Sequence, residues 1–227
     1  MSTQTNLVGS QTLVLSGTGI IASRDVESNK TVSVGTLTLA DGSNGGLAAN
    51  YTLSSGTHQL TVTQRPLSSS GSKSYDANTD ALANAITLSN LAGGETLVHS
   101  GTATTSSANA NSYTINNLAG IGISNGTGTA SNYTLTGGTH SFTINKRVVS
   151  LSGGSRQYNG SATAIAADLP TINNLVGSET LTLSGNGVVE NANVGDNKPL
   201  TNLSGLTLQN GSNGGLAANY TLSGGSS

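Results

Sequence analysis

Asn90-Leu91-Ala92-Gly93-Gly94-Glu95-Thr96-Leu97 decides how this chain is read, because the string occurs three times. It returns as Asn174-Leu175-Val176-Gly177-Ser178-Glu179-Thr180-Leu181, and an earlier form is Asn6-Leu7-Val8-Gly9-Ser10-Gln11-Thr12-Leu13. Both intervals are 84 residues (90 − 6 and 174 − 90). A fixed period marks a tandem array, so the fold question becomes what one unit looks like.

Other landmarks keep the same beat. Asn-Tyr-Thr-Leu stands at 50–53, 132–135 and 219–222. Thr57-His58-Gln59-Leu60-Thr61-Val62-Thr63 matches Thr139-His140-Ser141-Phe142-Thr143-Ile144-Asn145, and Arg65 and Arg147 open the units that follow. Three units are expected: 1–64, 65–146 and 147–227. Only the middle one carries every landmark. The first is read as lacking its opening segment and the third its closing segment, so the chain is expected to be a window on a longer array.

Composition narrows the class. Lys plus Arg total 8 and Asp plus Glu 10, a net charge of −2. Such a surface lacks the basic footprint of a nucleic-acid binder and the basic clusters that anionic lipid attracts. No apolar run approaches the ~20 residues of a helical membrane span. Without cysteine there is no disulfide or thiolate metal site. Leu, Val, Ile and Phe make up 49 of 227 residues, near the level where disorder is a concern. Small net charge and abundant Val, Ile and Thr favour a folded β protein instead. With six Tyr and one Phe, each unit has a thin core, marginal for ~84 residues, and contacts between neighbours are expected to support it.

Alternation of apolar and polar residues marks strands, as at Leu13/Leu15, Leu60/Val62 and Phe142/Ile144. Thr31–Leu39 reads as one strand with a bulge at Gly35. Asp41-Gly42, Asn125-Gly126, Asn159-Gly160 and Asn210-Gly211 read as turns, because Gly and Asn tolerate positive φ. No stretch shows helical spacing. Six or seven short strands per unit are expected, at the pitch of a sandwich. The predicted class is all-β: small antiparallel β-sandwich modules, Ig-like or β-grasp-like, set end to end. Thr61-Val62-Thr63-Gln64-Arg65-Pro66-Leu67 and Thr143-Ile144-Asn145-Lys146-Arg147-Val148-Val149 cross the joints without a Gly/Ser linker, which predicts a stiff rod. Strands of ~8 residues at ~3.3 Å give modules of roughly 30–40 Å, so three would span on the order of 100 Å.

Taken together, the opening Arg strand, Tyr75-Asp76-Ala77 and Tyr158-Asn159-Gly160, the central Asn-Leu-x-Gly string, Asn-Tyr-Thr-Leu and the closing Thr-His strand resemble one family. These are the YDG and MBG-type repeats of very large secreted bacterial adhesins, including filamentous-haemagglutinin-like exoproteins. The resemblance covers essentially the whole chain and implies an extracellular, all-β stalk module of a cell surface, fibre or biofilm.

Each copy serves as a control for sites in the others. His58 and His140 are equivalent, and His99 replaces Leu15 and Leu183, with no recurring acid or nucleophile to make a catalytic base. Asp41-Gly42-Ser43-Asn44 has the look of a calcium turn, but Asn210 replaces Asp41 in its sister. An isopeptide cross-link fails because Lys73 aligns with Arg156, and Glu95 and Glu179 with Gln11. Asn50, Asn132 and Asn219 each begin an Asn-Tyr-Thr glycosylation sequon. The preferred reading is that this Asn ends a turn and the Tyr packs its ring with a wet hydroxyl. The Thr pairs at 36/38, 61/63 and 180/182 make no ice-binding grid. No catalytic, metal or cofactor-binding residue and no cofactor is therefore expected. The structural repeat residues are Tyr51, Tyr75, Tyr133, Tyr158, Tyr220, Gly93 and Gly177. The expected partners are neighbouring repeats, a second chain recruited through open strand edges, and a host or biofilm glycan or protein. An adhesive module using its end loops and a β-solenoid passenger are the alternatives to a stalk; the solenoid predicts a ~20–30-residue period, which the sequence does not show.

Overall fold

The computed structural model describes residues 4–53, 57–152 and 154–222. Among them the regular structure is twenty-one strands and five three-residue 3-10 turns, without an α-helix. The strands form several small sheets, mostly antiparallel.

The middle copy shows the plan. Asn111–Thr114, His140–Asn145, Ser68–Ser74 and Ile86–Ser89 lie side by side in one sheet, in that order. Ile121–Asn125, Leu97–Thr104 and Asp80–Leu82 form a second. Phe142, Ile144 and Ile86 of the first sheet share one core with Ala81, Ala103 and Ile121 of the second. Phe142 is fully buried, so the only phenylalanine of the chain is the centre of this packing.

This copy has nine strands, more than the six or seven expected. Leu67, fully buried, interrupts the opening strand and divides it into Arg65–Pro66 and Ser68–Ser74. Tyr133–Thr134 forms a further short strand.

The expectation of purely antiparallel modules is corrected. Ser68–Ser74 runs parallel to His140–Asn145, Arg65–Pro66 parallel to Tyr133–Thr134, and Arg147–Ser152 parallel to Tyr220–Leu222. Parallel neighbours need a long crossover, and the rest of the copy supplies it.

The first and fourth residues of the threefold string keep one conformation in all three, while Gly94 has a positive φ (74°) that Ser10 and Ser178 do not share. Asn6, Asn90 and Asn174 have φ of 65°, 66° and 69°, and Gly9, Gly93 and Gly177 have 57°, 54° and 52°. Asn and Gly are the residues that visit this left-handed region at least cost.

Two local expectations change. Thr31–Leu39 is not one bulged strand. Glu27–Ser33 ends before a turn in which Leu37 N–H donates to Val34 O, and Thr38–Asp41 then pairs with Leu13–Ser16. The glycines of Asp41-Gly42, Asn125-Gly126 and Asn210-Gly211 are needed for closeness, not for positive φ: a Cβ there would collide with the carbonyls of Thr12, Thr96 and Thr180.

Candidate functional site

The repeated residues make two kinds of contact, one within a copy and one between neighbouring copies. Arg65, which opens the middle copy, donates from Nε to Asn90 O (2.6 Å) and from Nη2 to Asn90 Oδ1 (2.8 Å). Asn90 Nδ2 returns a bond to Pro66 O. Arg147 and Asn174 repeat the arrangement at 2.7 and 2.6 Å, with Asn174 Nδ2 on Val148 O. The opening arginine and the first residue of the threefold string are thus one clamp. Planar guanidinium donors at fixed spacing suit this two-point contact.

A second node involves the tyrosine of Asn-Tyr-Thr. Its hydroxyl accepts from a backbone N–H of the string, Val8, Ala92 or Val176, at 3.1 Å each time. It donates to Gln11 Oε1 (2.5 Å), Glu95 Oε2 (2.5 Å) or Glu179 Oε2 (2.7 Å). The hydroxyl expected to be wet is therefore spent inside the protein. Gln can stand where its sisters have Glu because the task is to accept a hydrogen bond.

The free oxygen of each glutamate reaches across a joint. Glu95 Oε1 is 2.9 Å from Nη2 of Arg24, in the preceding copy. Glu179 Oε1 accepts from Tyr75 Oη at 2.8 Å, also from the preceding copy. Tyr75 packs edge-on against Tyr220, with centroids 5.3 Å apart and planes at 77°, the geometry that aromatic quadrupoles favour. Burial, followed by the Glu179 carboxylate, pushes the hydroxyls of Tyr75 and Tyr220 up to about 12. Tyr133 is raised too, chiefly by its bond to Glu95.

The sequon asparagines complete the joints. Asn132 Oδ1 accepts from Val26 N–H (2.8 Å), and its Nδ2 donates to Asp25 Oδ1 (2.8 Å). Asn219 Oδ1 accepts from Ala110 N–H (2.8 Å), and its Nδ2 donates to Asn109 Oδ1 (3.0 Å). Asp25 and Asn109 are 84 residues apart, so one latch is built twice. Asn219 is fully buried, with its amide committed to the latch. The Asn132 bond, first among several causes, lowers the Asp25 carboxyl below its ordinary range.

The seven expected repeat residues divide accordingly. Tyr133 and Tyr220 sit in the hydroxyl nodes, with Tyr51 half-buried in the equivalent place. Tyr75 lies in the second joint, and Gly93 and Gly177 in the left-handed turns. Tyr158, the partner of Tyr75 by sequence, is 69% exposed and joins neither node. Tyr75 N–H is tied to Asn145 O of the closing strand, and no described residue plays that part for Tyr158.

The other candidates have structural duties. Asp41 Oδ1 accepts from Ala48 N–H as Asn125 and Asn210 accept from Ala130 and Ala217, so a neutral residue serves equally well. No group of three or more potential metal ligands occurs among the described residues. Lys73 bonds Asn78 and pairs with Asp76 at 2.8 Å on the surface. His99 Nε2 lies on the carbonyls of Ala83 and Ile86. No motif foretold the buried pair Ser69 Oγ and His140 Nδ1, 2.9 Å apart. His140 Nε2 faces Leu135 O, so both ring nitrogens are spent, fastening the closing strand to the opening one.

What the geometry defines is an all-β protein in which residues that recur in the sequence also recur in their hydrogen bonds. Residues 145–227 match the YDG domain family, and the match begins two residues before the Arg147 clamp. No curated protein and no solved structure matches the chain.

Proposed function

We propose that the chain is a stalk segment of a large secreted bacterial adhesin or surface fibre, in which tandem modules of about 84 residues form a rod. The single observation that carries this reading is the twice-built latch, Asn132 on Asp25-Val26 and Asn219 on Asn109-Ala110. A spacer needs the same angle at every joint, and a repeated set of short hydrogen bonds fixes one. The YDG domain at 145–227 supports the family side of the reading. In this reading the chain performs no chemistry, lies outside the cell, and has neighbouring repeats as its first partners.

Small-angle X-ray scattering tests it. A rod of three modules gives a longest dimension on the order of 100 Å and a scattering profile of elongated cross-section. The double variant N132A/N219A is expected to broaden the distance distribution while the strand signal in circular dichroism is kept. A compact profile for the native chain would sink the proposal.

A further inference from the structure

The latch has two halves, and the chain carries one more of each. The loop half is a three-residue turn. Asp25 N–H is held by Ser23 Oγ (3.0 Å), Asn109 N–H by Ser107 Oγ (3.2 Å), and Asn193 N–H by Asn191 Oδ1 (3.0 Å). Lys30 Nζ donates to Asp25 O, and Lys198 Nζ donates to Asn193 O, both at 2.6 Å. The third loop is therefore shaped like the two that are latched. Yet Val194, at the position of Val26 and Ala110, is 87% exposed, and neither its N–H nor the Asn193 side chain has a partner among the described residues.

The asparagine half is also present once more. Asn132, Asn219 and Asn50 each end a 3-10 turn, with the backbone N–H donating to Thr129, Leu216 and Leu47 respectively (3.0–3.1 Å). Tyr51 follows Asn50 and bonds Gln11. Asn50 is exposed, and its amide group has no partner among the described residues. Both open halves are thus already folded, so joining them orders little that is free.

We infer that two copies of this chain associate head to tail through this open latch. Asn50 Oδ1 of one copy accepts from Val194 N–H of the next, and Asn50 Nδ2 donates to Asn193 Oδ1. The surroundings agree. Where the first joint carries Arg24 against Glu95, the open halves carry Ala192 and Gln11, so no unpaired charge is buried. The contact uses different patches on the two copies, so it extends into a filament and does not close into a dimer. The contact is confined to one turn on each copy, and interfaces at the low end of the size range are weak and concentration-dependent.

Sedimentation velocity over a concentration series tests it. The native chain is expected to sediment faster as concentration rises towards ~1 mM, while N50A and V194P each stay monomeric. N50A keeps a working loop and V194P a working asparagine. Mixed in equal amounts, the two variants are expected to give a one-to-one dimer and nothing larger. N193R, which blocks the loop without proline, should behave as V194P does. A native chain that stays monomeric at ~1 mM overturns the inference. So does association that persists in N50A, or a mixture that fails to pair. If association survives both latch variants and is lost in T61P, which blocks the open strand edge, the route is strand addition and the latch is refuted.

Discussion

Two closing strands with the same alternation of apolar and polar residues have different fates. In the middle copy, Phe142 and Ile144 of His140–Asn145 are 0% and 1% exposed. In the first copy, Leu60, the counterpart of Phe142, is 49% exposed, and Val62, the counterpart of Ile144, is half-buried. Alternation is the same in both. The difference is the neighbour: Ser68–Ser74 lies parallel against His140–Asn145, whereas among the described residues Gln59–Val62 pairs only with Glu27–Ser33. Leu13 is the one buried apolar residue described in residues 1–64, while the middle copy has eleven. The opening strand is therefore what converts a β-meander into a closed core.

This contrast predicts the largest effect. Phe142→Ala should cost about 3–5 kcal/mol, read by chemical denaturation, against under about 1 kcal/mol for Leu60→Ala, which loses little buried area. Equal costs would mean the first copy closes its core in solution. Hydrogen exchange sharpens the comparison. Amides of His140–Asn145 should exchange slower than those of Gln59–Val62 by roughly two orders of magnitude or more, since local stability follows packing.

The nodes give the next tier. Glu179→Ala leaves two buried hydroxyls without an acceptor and should cost about 1–3 kcal/mol. Glu179→Gln should cost far less, because Gln11 already serves the equivalent tyrosine. Alkali should loosen the second joint before the first copy responds. Tyr75 and Tyr220 are raised to about 12 in the folded chain and titrate near 10 unfolded. The folded state holds these protons more tightly, so the stabilisation is complete below pH ~10 and lost as pH rises towards 12. A thermal-melt series across that window, compared with Tyr75→Phe, reads it.

The smallest effect concerns the two Tyr-Asp-Gly-like turns. Ala77 sits at φ 61° where its sister Gly160 has 74°. Ala77→Gly should stabilise the chain by about 1 kcal/mol, and Gly160→Ala should destabilise it by a similar amount. Melting temperatures that do not move in opposite directions would show that the turns are not equivalent.

Much of this was legible in the residues. Alternation marked the strands at Leu13/Leu15 and Phe142/Ile144, and the recurring Asn and Gly of the threefold string marked its left-handed turns. The latch was hidden because its halves stand 106 and 109 residues apart in Val26–Asn132 and Ala110–Asn219, and no local pattern links such distances. The sequon Asn looked like a turn residue because it is one: its backbone ends the turn while its side chain crosses the joint.

The sequence by itself determined the β class, the period and the residues that recur, since alternation, left-handed Asn and Gly, and self-comparison are local properties. Only the tertiary structure decided that opening and closing strands run parallel, that Tyr hydroxyls are held by Glu or Gln, and that Asn132 and Asn219 latch copy to copy. Those depend on which surfaces meet, and the physical pressure to pair every buried donor and acceptor acts on the folded chain, where distant residues become neighbours.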